Sequence, residues 1–426
     1  MNKRVVITGM GINTPIGDNL DDYIQNLISG KSAISKWKTL DTGRLYSKIG
    51  GDLGEYDCKR KLTELQDKIP EEIFTPLQRM LNRIPWFLSV SVLVALDAWT
   101  DSNLFSDHKL AEDTSVILSG HNLAQHYVFN NHNLFNEEPD FMDALGAVHG
   151  LDTSHLGCIT EALGLHGAAF SIGGACASGN YALRSAMDEI QFRNVGRVLI
   201  VAPILEFSPM EIHGMTLIEA ISYKSFNDNP EAASRPYDID REGFVPSHGA
   251  AALVLEDLDQ ARARGARIYA EVLGVEASAD ANRKPNPSKE GQAKAIRKVL
   301  AACNVKADEI DYINAHATST PQGDLCELAS IKDALGKHAY GVKINATKSM
   351  LGHTCWSAAM VETVAGILQM QIGKLHPSIN IDNIDPEVDL DVCSNTAVDH
   401  DIQMMLKNSF GFGGLNCVSL IKRYHS

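Results

Sequence analysis

The sequence predicts an α/β protein of two halves packed as one unit. Three observations carry this. Short β-type apolar runs alternate with stretches of helical periodicity, the alternation continues on both sides of about residue 260, and no low-complexity linker separates the two parts. At 426 residues the chain is long enough for one large α/β domain or two ordinary ones. The expected division is 1–260 and 261–426.

The elements follow in chain order. VVITGMG at 5–11, RVLIVAP at 197–203 and AALVLEDL at 251–258 read as buried strands. The opening basic residues and apolar run are too short and too glycine-punctuated for a secretion signal. In 177–190, Leu183, Met187 and Ile190 share one helical face, and in 291–303 Ala293, Ile296, Leu300 and Cys303 do the same. The Asn- and His-rich region 101–150 reads as a surface or interface excursion, the competing reading being a ligand or metal loop.

Composition narrows the function. Hydrophobic residues make up 44% and charged residues 21%, as in a globular protein, and a net charge of -15 argues against nucleic acid as the main partner. No apolar run approaches the ~20 residues of a membrane span. The eight cysteines are scattered without a CxxC pair, so no metal site or disulfide framework is expected, and the expected compartment is the reducing cytoplasm.

Four segments carry chemistry. In SIGGACASGNYALRSAM, 171–187, glycines precede Cys176 and a helical pattern follows at once. A thiol at a helix start is stabilised as thiolate by the helix dipole and free N–H groups, and its own N–H can serve an oxyanion. A structural cysteine in a tight turn is the alternative. In DYINAHATSTPQGDLCE, 311–327, a strand-like run delivers His316 beside small hydroxyl residues. In INATKSMLGHTCWSAAMVE, 344–362, Lys348 and His353 follow another. Each histidine, at a strand-to-loop transition, can hydrogen-bond a reacting carbonyl, or can be structural. In KNSFGFGGLNCVSLIK, 407–422, glycines alternate with aromatics, which predicts a hairpin with close backbone approach.

Taken together, these segments resemble the β-ketoacyl-acyl-carrier-protein synthases, the condensing enzymes of fatty-acid and polyketide assembly. The closest likeness is to the elongating type with one cysteine and two histidines. VVITGMGINTPIG, ACASG, SRPYDIDREGFV, NAHATSTPQGD, KSMLGH, HPSIN and NSFGFGG stand in the family's order along nearly the whole chain. The resemblance implies a thiolase-like fold, with two pseudo-duplicated βαβαβ-type halves forming a layered αβαβα core. It implies that Cys176 carries the acyl group while His316 and His353 stabilise the enolate formed when a malonyl-type thioester loses CO2. It further implies that Lys348, with Glu327, orients His353, that the N–H groups of Cys176 and Phe412 form the oxyanion hole with Phe412 as a gate, and that Thr318 and Thr320 meet the pantetheine arm. No cofactor or metal is implied. The implied partners are an acyl carrier protein and a second copy of the chain. Arg79, Arg83 and the Lys59–Arg60–Lys61 run are candidates for a basic docking patch, with ordinary solvated charges as the alternative.

The sequence departs from the family pattern at three places. Trp356 stands where a glycine is usual, His248 lies in an unusual position, and Arg283 replaces a threonine of the pantetheine channel. These departures suggest a specialised, polyketide-pathway synthase. The rival functions are a malonyl-carrier decarboxylase, a non-catalytic subunit shaping a heterodimer's pocket, and a thiolase using a second cysteine such as Cys417. The retained Cys176 argues against the first two.

Overall fold

A computed structural model describes residues 3–106, 109–282 and 286–425. Among these, the main sheet has ten strands: β1 (Val5–Asn13), β2 (Ser115–Ser119), β3 (Ala169–Ile172), β4 (Arg197–Ala202), β5 (Ala250–Asp257), β6 (Ala270–Ala279), β7 (Tyr312–Asn314), β8 (Lys343–Asn345), β9 (Met404–Gly411) and β10 (Leu415–Arg423). Their order is β8-β7-β9-β10-β6-β1-β5-β4-β2-β3.

That order contains a repeat. From the centre outward, one half reads β1-β5-β4-β2-β3 and the other β6-β10-β9-β7-β8. The directions match as well. The inner two pairings of each half are antiparallel and the outer two parallel. The halves meet where Val5, Val6 and Ile7 pair with Val272, Glu271 and Ala270.

Helices complete the layers. α1 (Trp86–Asp101) and α3 (Thr153–Leu163) cover the outer face of the first half. α6 (Lys289–Cys303), with α7 (Pro321–Leu335) packed on it, covers that of the second. α4 (Ser178–Phe192) and α9 (Ala358–Ile372) lie between the two half-sheets and touch strands of both. The result is the five-layer αβαβα arrangement, with a separate apolar cluster in the middle and on each outer side.

Local sequence accounts for the elements. On α4, Leu183, Met187 and Ile190 are buried as their spacing predicts. α9 is buried on nearly every side, as a central-layer helix must be. On α6, Ala293, Ile296 and Leu300 face inward while Cys303 is half-buried. Gly11 lets β1 touch α1, because a Cβ there would lie 2.2 Å from the Val94 carbonyl oxygen.

The region 101–150 includes α2 (Gln125–Glu137), and Val128, Phe135, Phe141, Leu145 and Val148 there are exposed. It lies in the half whose outermost strand is β3, with Ala169 and Ser171 open to solvent.

Candidate active site

The turn that carries Cys176 is built by four residues. β3 ends at Ile172, and after Gly173 and Gly174 the chain passes through Ala175 at φ 50°, a left-handed conformation costly for a residue with a Cβ. The Gly174 N–H donates to Ser178 Oγ at 2.8 Å, and that hydroxyl donates to the Ala175 carbonyl at 2.6 Å. A single 3-10 turn, Ala175–Ala177, then leads into α4 and leaves Cys176 6% exposed. The β9–β10 hairpin closes over it. A Cβ on Gly411 would meet the Gly174 oxygen at 2.6 Å and the Cys176 nitrogen at 3.3 Å, so only glycine permits this approach.

Two histidines reach the same point from the other half. His316 follows β7. His353 follows β8, a short helix α8 (Lys348–Leu351) and Gly352 at φ 71°. Ligand-type atoms of Cys176, His316 and His353 all lie within 4.8 Å of one another, and the imidazole rings stand nearly perpendicular, centroids 5.4 Å apart.

Hydrogen bonds settle the tautomers. The Cys355 N–H donates to His353 Nδ1 at 3.1 Å, which puts that ring's proton on Nε2. This Nε2 is buried and has no partner among the described residues, so it is a free donor in the site. Lys348 Nζ donates to the His316 carbonyl at 2.7 Å and stands 3.4 Å from His316 Nδ1, which favours the same tautomer there. Lys348 thus serves His316 rather than His353. Glu327 does likewise, accepting the N–H groups of His316 at 2.9 Å and Ala317 at 2.8 Å, plus Asn408 Nδ2 at 2.8 Å. His353 is held instead by its backbone, whose N–H donates to Val245 at 2.7 Å, and by the edge-on Phe244 ring at 5.1 Å.

The electrostatics correct one expectation. Burial pushes the Cys176 thiol up to about 11, although Lys348 and the backbone N–H groups of Phe412 and Cys176 pull the other way. The helix start therefore does not yield a resting thiolate, because desolvation in this closed turn outweighs it. Burial also holds both imidazoles well below their ordinary range. Lys348 and Lys407 reinforce this for each, and for His316 the neighbouring His353 does too. Both rings are therefore neutral donors near pH 7.

A cavity of about 410 Å³ opens onto these groups, lined among others by Cys176, Phe244, His316, His353, Thr318, Thr320 and Phe412. The hydroxyls of Thr318 and Thr320 lie 3.1 Å apart at its wall, and Phe412, 40% exposed, stands at the hairpin tip. Every site residue expected from the sequence is thereby brought together. Sequence reasoning missed Phe244, Glu362 and Lys407. The signal for Lys407 was a charged residue between the apolar run MML and the glycine loop.

The departures resolve unequally. Trp356 is accommodated by lying against Gly120 and stacking on His121, ring centroids 4.9 Å apart. His248 is a packed core residue. Its Nδ1 accepts the Leu53 N–H at 3.1 Å, and Trp37 and Phe207 flank it at 5.1 and 5.9 Å. Arg283 lies outside the described residues. Cys417 is buried within β10 in the central cluster, away from the cavity wall, so it does not supply the second thiol of thiolase chemistry. Lys61 is buried against Asp97 at 3.0 Å and leaves the candidate basic patch, while Arg79 and Arg83 are exposed.

Comparison with known proteins agrees with this geometry. The beta-ketoacyl synthase N-terminal domain family matches residues 2–261, and the C-terminal domain family matches 269–382. The chain belongs to the β-ketoacyl synthase family. It is 32% identical to 3-oxoacyl-(acyl-carrier-protein) synthase 2 of Synechocystis over 99% of this chain and 98% of that one. It is also 32% identical to the chloroplastic synthase I of Arabidopsis thaliana, over 98% and 86%. Among solved structures, the ishigamide ketosynthase/chain length factor superposes with a TM-score of 0.87 at 29% identity, covering all of both chains. A type II polyketide ketosynthase in complex with its acyl-carrier protein gives 0.85 at 26%, again over both full chains. The synthase is a carbon–carbon bond-forming acyltransferase of fatty-acid or polyketide biosynthesis. Among the described residues, no helix is long and apolar enough to cross a membrane.

Proposed function

We propose that the synthase joins an acyl group held on Cys176 to a malonyl-type extender delivered by an acyl carrier protein. The observation that carries this is the convergence of one thiol and two Nε2–H donors on one cavity. In the first half-reaction, the Cys176 sulfur attacks the carrier thioester. A new C–S bond forms, the old one breaks, and the thiol proton ends on the departing pantetheine thiol. In the second, the bond from the extender's α-carbon to its carboxylate breaks and CO2 leaves. The electron pair stays as an enolate, whose oxygen accepts hydrogen bonds from His316 and His353. The α-carbon then attacks the acyl-Cys176 carbonyl, whose oxyanion is met by the Cys176 and Phe412 N–H groups, and collapse expels the Cys176 thiolate. Donors placed where charge develops stabilise the transition state more than the ground state. A neutral imidazole also lacks the excess proton that would quench the carbanion.

Thr318 and Thr320 on the cavity wall suit the polar pantetheine arm. The carrier partner is supported by the carrier complex of the similar polyketide ketosynthase and by exposed Arg79 and Arg83. The dimer reading rests on the open edge of β3 and on the exposed apolar side chains Val128, Phe135, Phe141 and Val148 of the region 101–150. The polyketide reading rests on the two similar polyketide ketosynthases and on Trp356, which with His121 places an aromatic stack beside the nucleophile turn.

Intact-mass analysis of Cys176 against a panel of acyl carriers tests the function. Adducts that vanish on adding malonyl carrier, with a β-ketoacyl product, are expected. CO2 release without any adduct would make the protein a decarboxylase. Efficient use of saturated chains of every length would place it in housekeeping fatty-acid elongation.

A further inference from the structure

Lys407 sits midway along β9, the strand that ends in the loop closing over Cys176. Its side chain is fully buried. The ammonium lies 2.7 Å from Glu362 Oε2, donates to the Asn408 carbonyl, and reaches Ser409 Oγ at 3.2 Å. The other Glu362 oxygen bonds Lys348, the residue that donates to the His316 carbonyl and faces His316 Nδ1. A buried row therefore runs Lys407–Glu362–Lys348–His316. Burying an ammonium is costly unless it is paired and hydrogen-bonded, and Glu362, the Asn408 carbonyl and Ser409 supply both for Lys407.

We propose that Lys407 is a positioning residue for the condensation, occupying the second oxygen of Glu362 so that Lys348 stays on the Nδ1 side of His316. This rests on His316 acting as an enolate donor. Lys407 is not among the residues lining the cavity, so it acts through Glu362 and Lys348 rather than on the substrate. Without it, both Glu362 oxygens are free to take Lys348, which draws that ammonium from His316. The Nδ1 atom then loses its donor, and the tautomer with a bare Nε2 toward the extender becomes accessible. The charge balance changes too. The groups around His316 are Lys348 from α8, Glu362 from α9, Glu327 from α7, Lys407 from β9, the neutral His353 and the Cys176 thiol. With both lysines present, two cations face two carboxylates. Loss of one leaves a net negative charge that favours imidazolium.

The test uses the full-length protein with malonyl carrier and an acyl carrier. Lys407→Met should lower kcat for condensation about 10- to 100-fold, the scale of a displaced rather than deleted group. KM for malonyl carrier should be unchanged and Cys176 acylation by intact mass retained. The acid limb of the decarboxylation pH profile should move up by about one unit, as expected for loss of a neighbouring cation. Lys407→Arg should bring the limb back toward the parent's. Should Lys407→Met not fold, Lys407→Gln removes the charge while keeping a donor and reads the same limb. A folded Met or Gln variant with the parent's kcat and acid limb would overturn the proposal, as would a folded Arg variant whose limb stays displaced. Normal decarboxylation by His316→Ala would instead remove the underlying reading, which separates the two failures.

Discussion

Replacing Glu327 with Gln tests how the site is held, since the two side chains have the same shape. The carboxylate is buried and accepts three donors at 2.8–2.9 Å: the N–H groups of His316 and Ala317, and Asn408 Nδ2. Glutamine offers one carbonyl oxygen and one NH2 group. If the oxygen stays with His316 and Asn408, the NH2 faces the Ala317 N–H, donor against donor. If it turns, two donors are stranded. At least one buried N–H is therefore left unpaired, at about 1–3 kcal/mol, and the surviving bonds lose their charge assistance, so about 2–4 kcal/mol of destabilisation is expected. The same change unclamps the backbone at His316. A displacement of about 1 Å in a catalytic group can cost ~10²-fold, so kcat should fall between about 10- and 100-fold. The assays are the urea midpoint at unchanged m-value and steady-state condensation with saturating carriers. A variant with the parent's midpoint and a kcat within about twofold of the parent's would refute the idea that Glu327 clamps the His316 segment, since even one unpaired buried N–H and a ~10-fold loss in kcat exceed that.

Other outcomes follow from the same geometry. Because burial and the two lysines hold both imidazoles well below the usual range, lowering the pH should leave them neutral. Malonyl-carrier decarboxylation should therefore be flat through about pH 6.5, the ordinary histidine value, and an acid limb there would contradict the assignment. With the Cys176 thiol raised to about 11, its alkylation by iodoacetamide should climb about tenfold per pH unit from neutral pH upward, and a plateau below about pH 9 would show a resting thiolate instead. Gly411→Ala should cut activity strongly while leaving the fold intact by circular dichroism, because its Cβ would press on the Gly174 oxygen and push the hairpin off the Cys176 turn. Retained turnover would mean that the loop need not sit so close.

Much of this site is legible in the sequence, and the reasons differ by residue. Cys176, His316 and His353 each follow a strand-to-loop transition marked by small residues, and such transitions are local features. The partners of Lys348 and Glu327 are not local. Lys348 acts on His316 across 32 positions and Glu327 reaches back 11 positions to the His316 backbone, so their assignment to His353 failed for want of three-dimensional information. The thiol's raised titration was also hidden. A helix start argues for a thiolate, and only the closed turn beneath the hairpin reveals how completely the sulfur is desolvated. Alternation on both sides of about residue 260 suggests two α/β halves, but not that one repeats the other, because the copies share no visible identity.

That repeat explains where Trp356 comes from. In the first half, Ala175 at φ 50° opens the 3-10 turn Ala175–Ala177, and the fifteen-residue α4 follows. In the second, Cys355 at φ 52° opens the turn Cys355–Ser357, and α9, also fifteen residues, follows. Cys176 and Trp356 therefore occupy the same position in equivalent turns, and the two turns touch between the half-sheets. One copy of the motif places a thiol beside the histidines. The other places an indole, which reaches outward to stack on His121. An aromatic pair of this kind contributes about 0.5–1.5 kcal/mol beyond its buried area. Trp356→Ala should therefore cost more stability than an exposed aromatic would, by thermal melting. Because the altered turn abuts the nucleophile turn, the spread of acyl chain lengths found on Cys176 should shift as well. A variant that loses stability but keeps the parent's acyl profile would confine Trp356 to packing, and one that changes the profile would make this second turn the element that sets what Cys176 accepts.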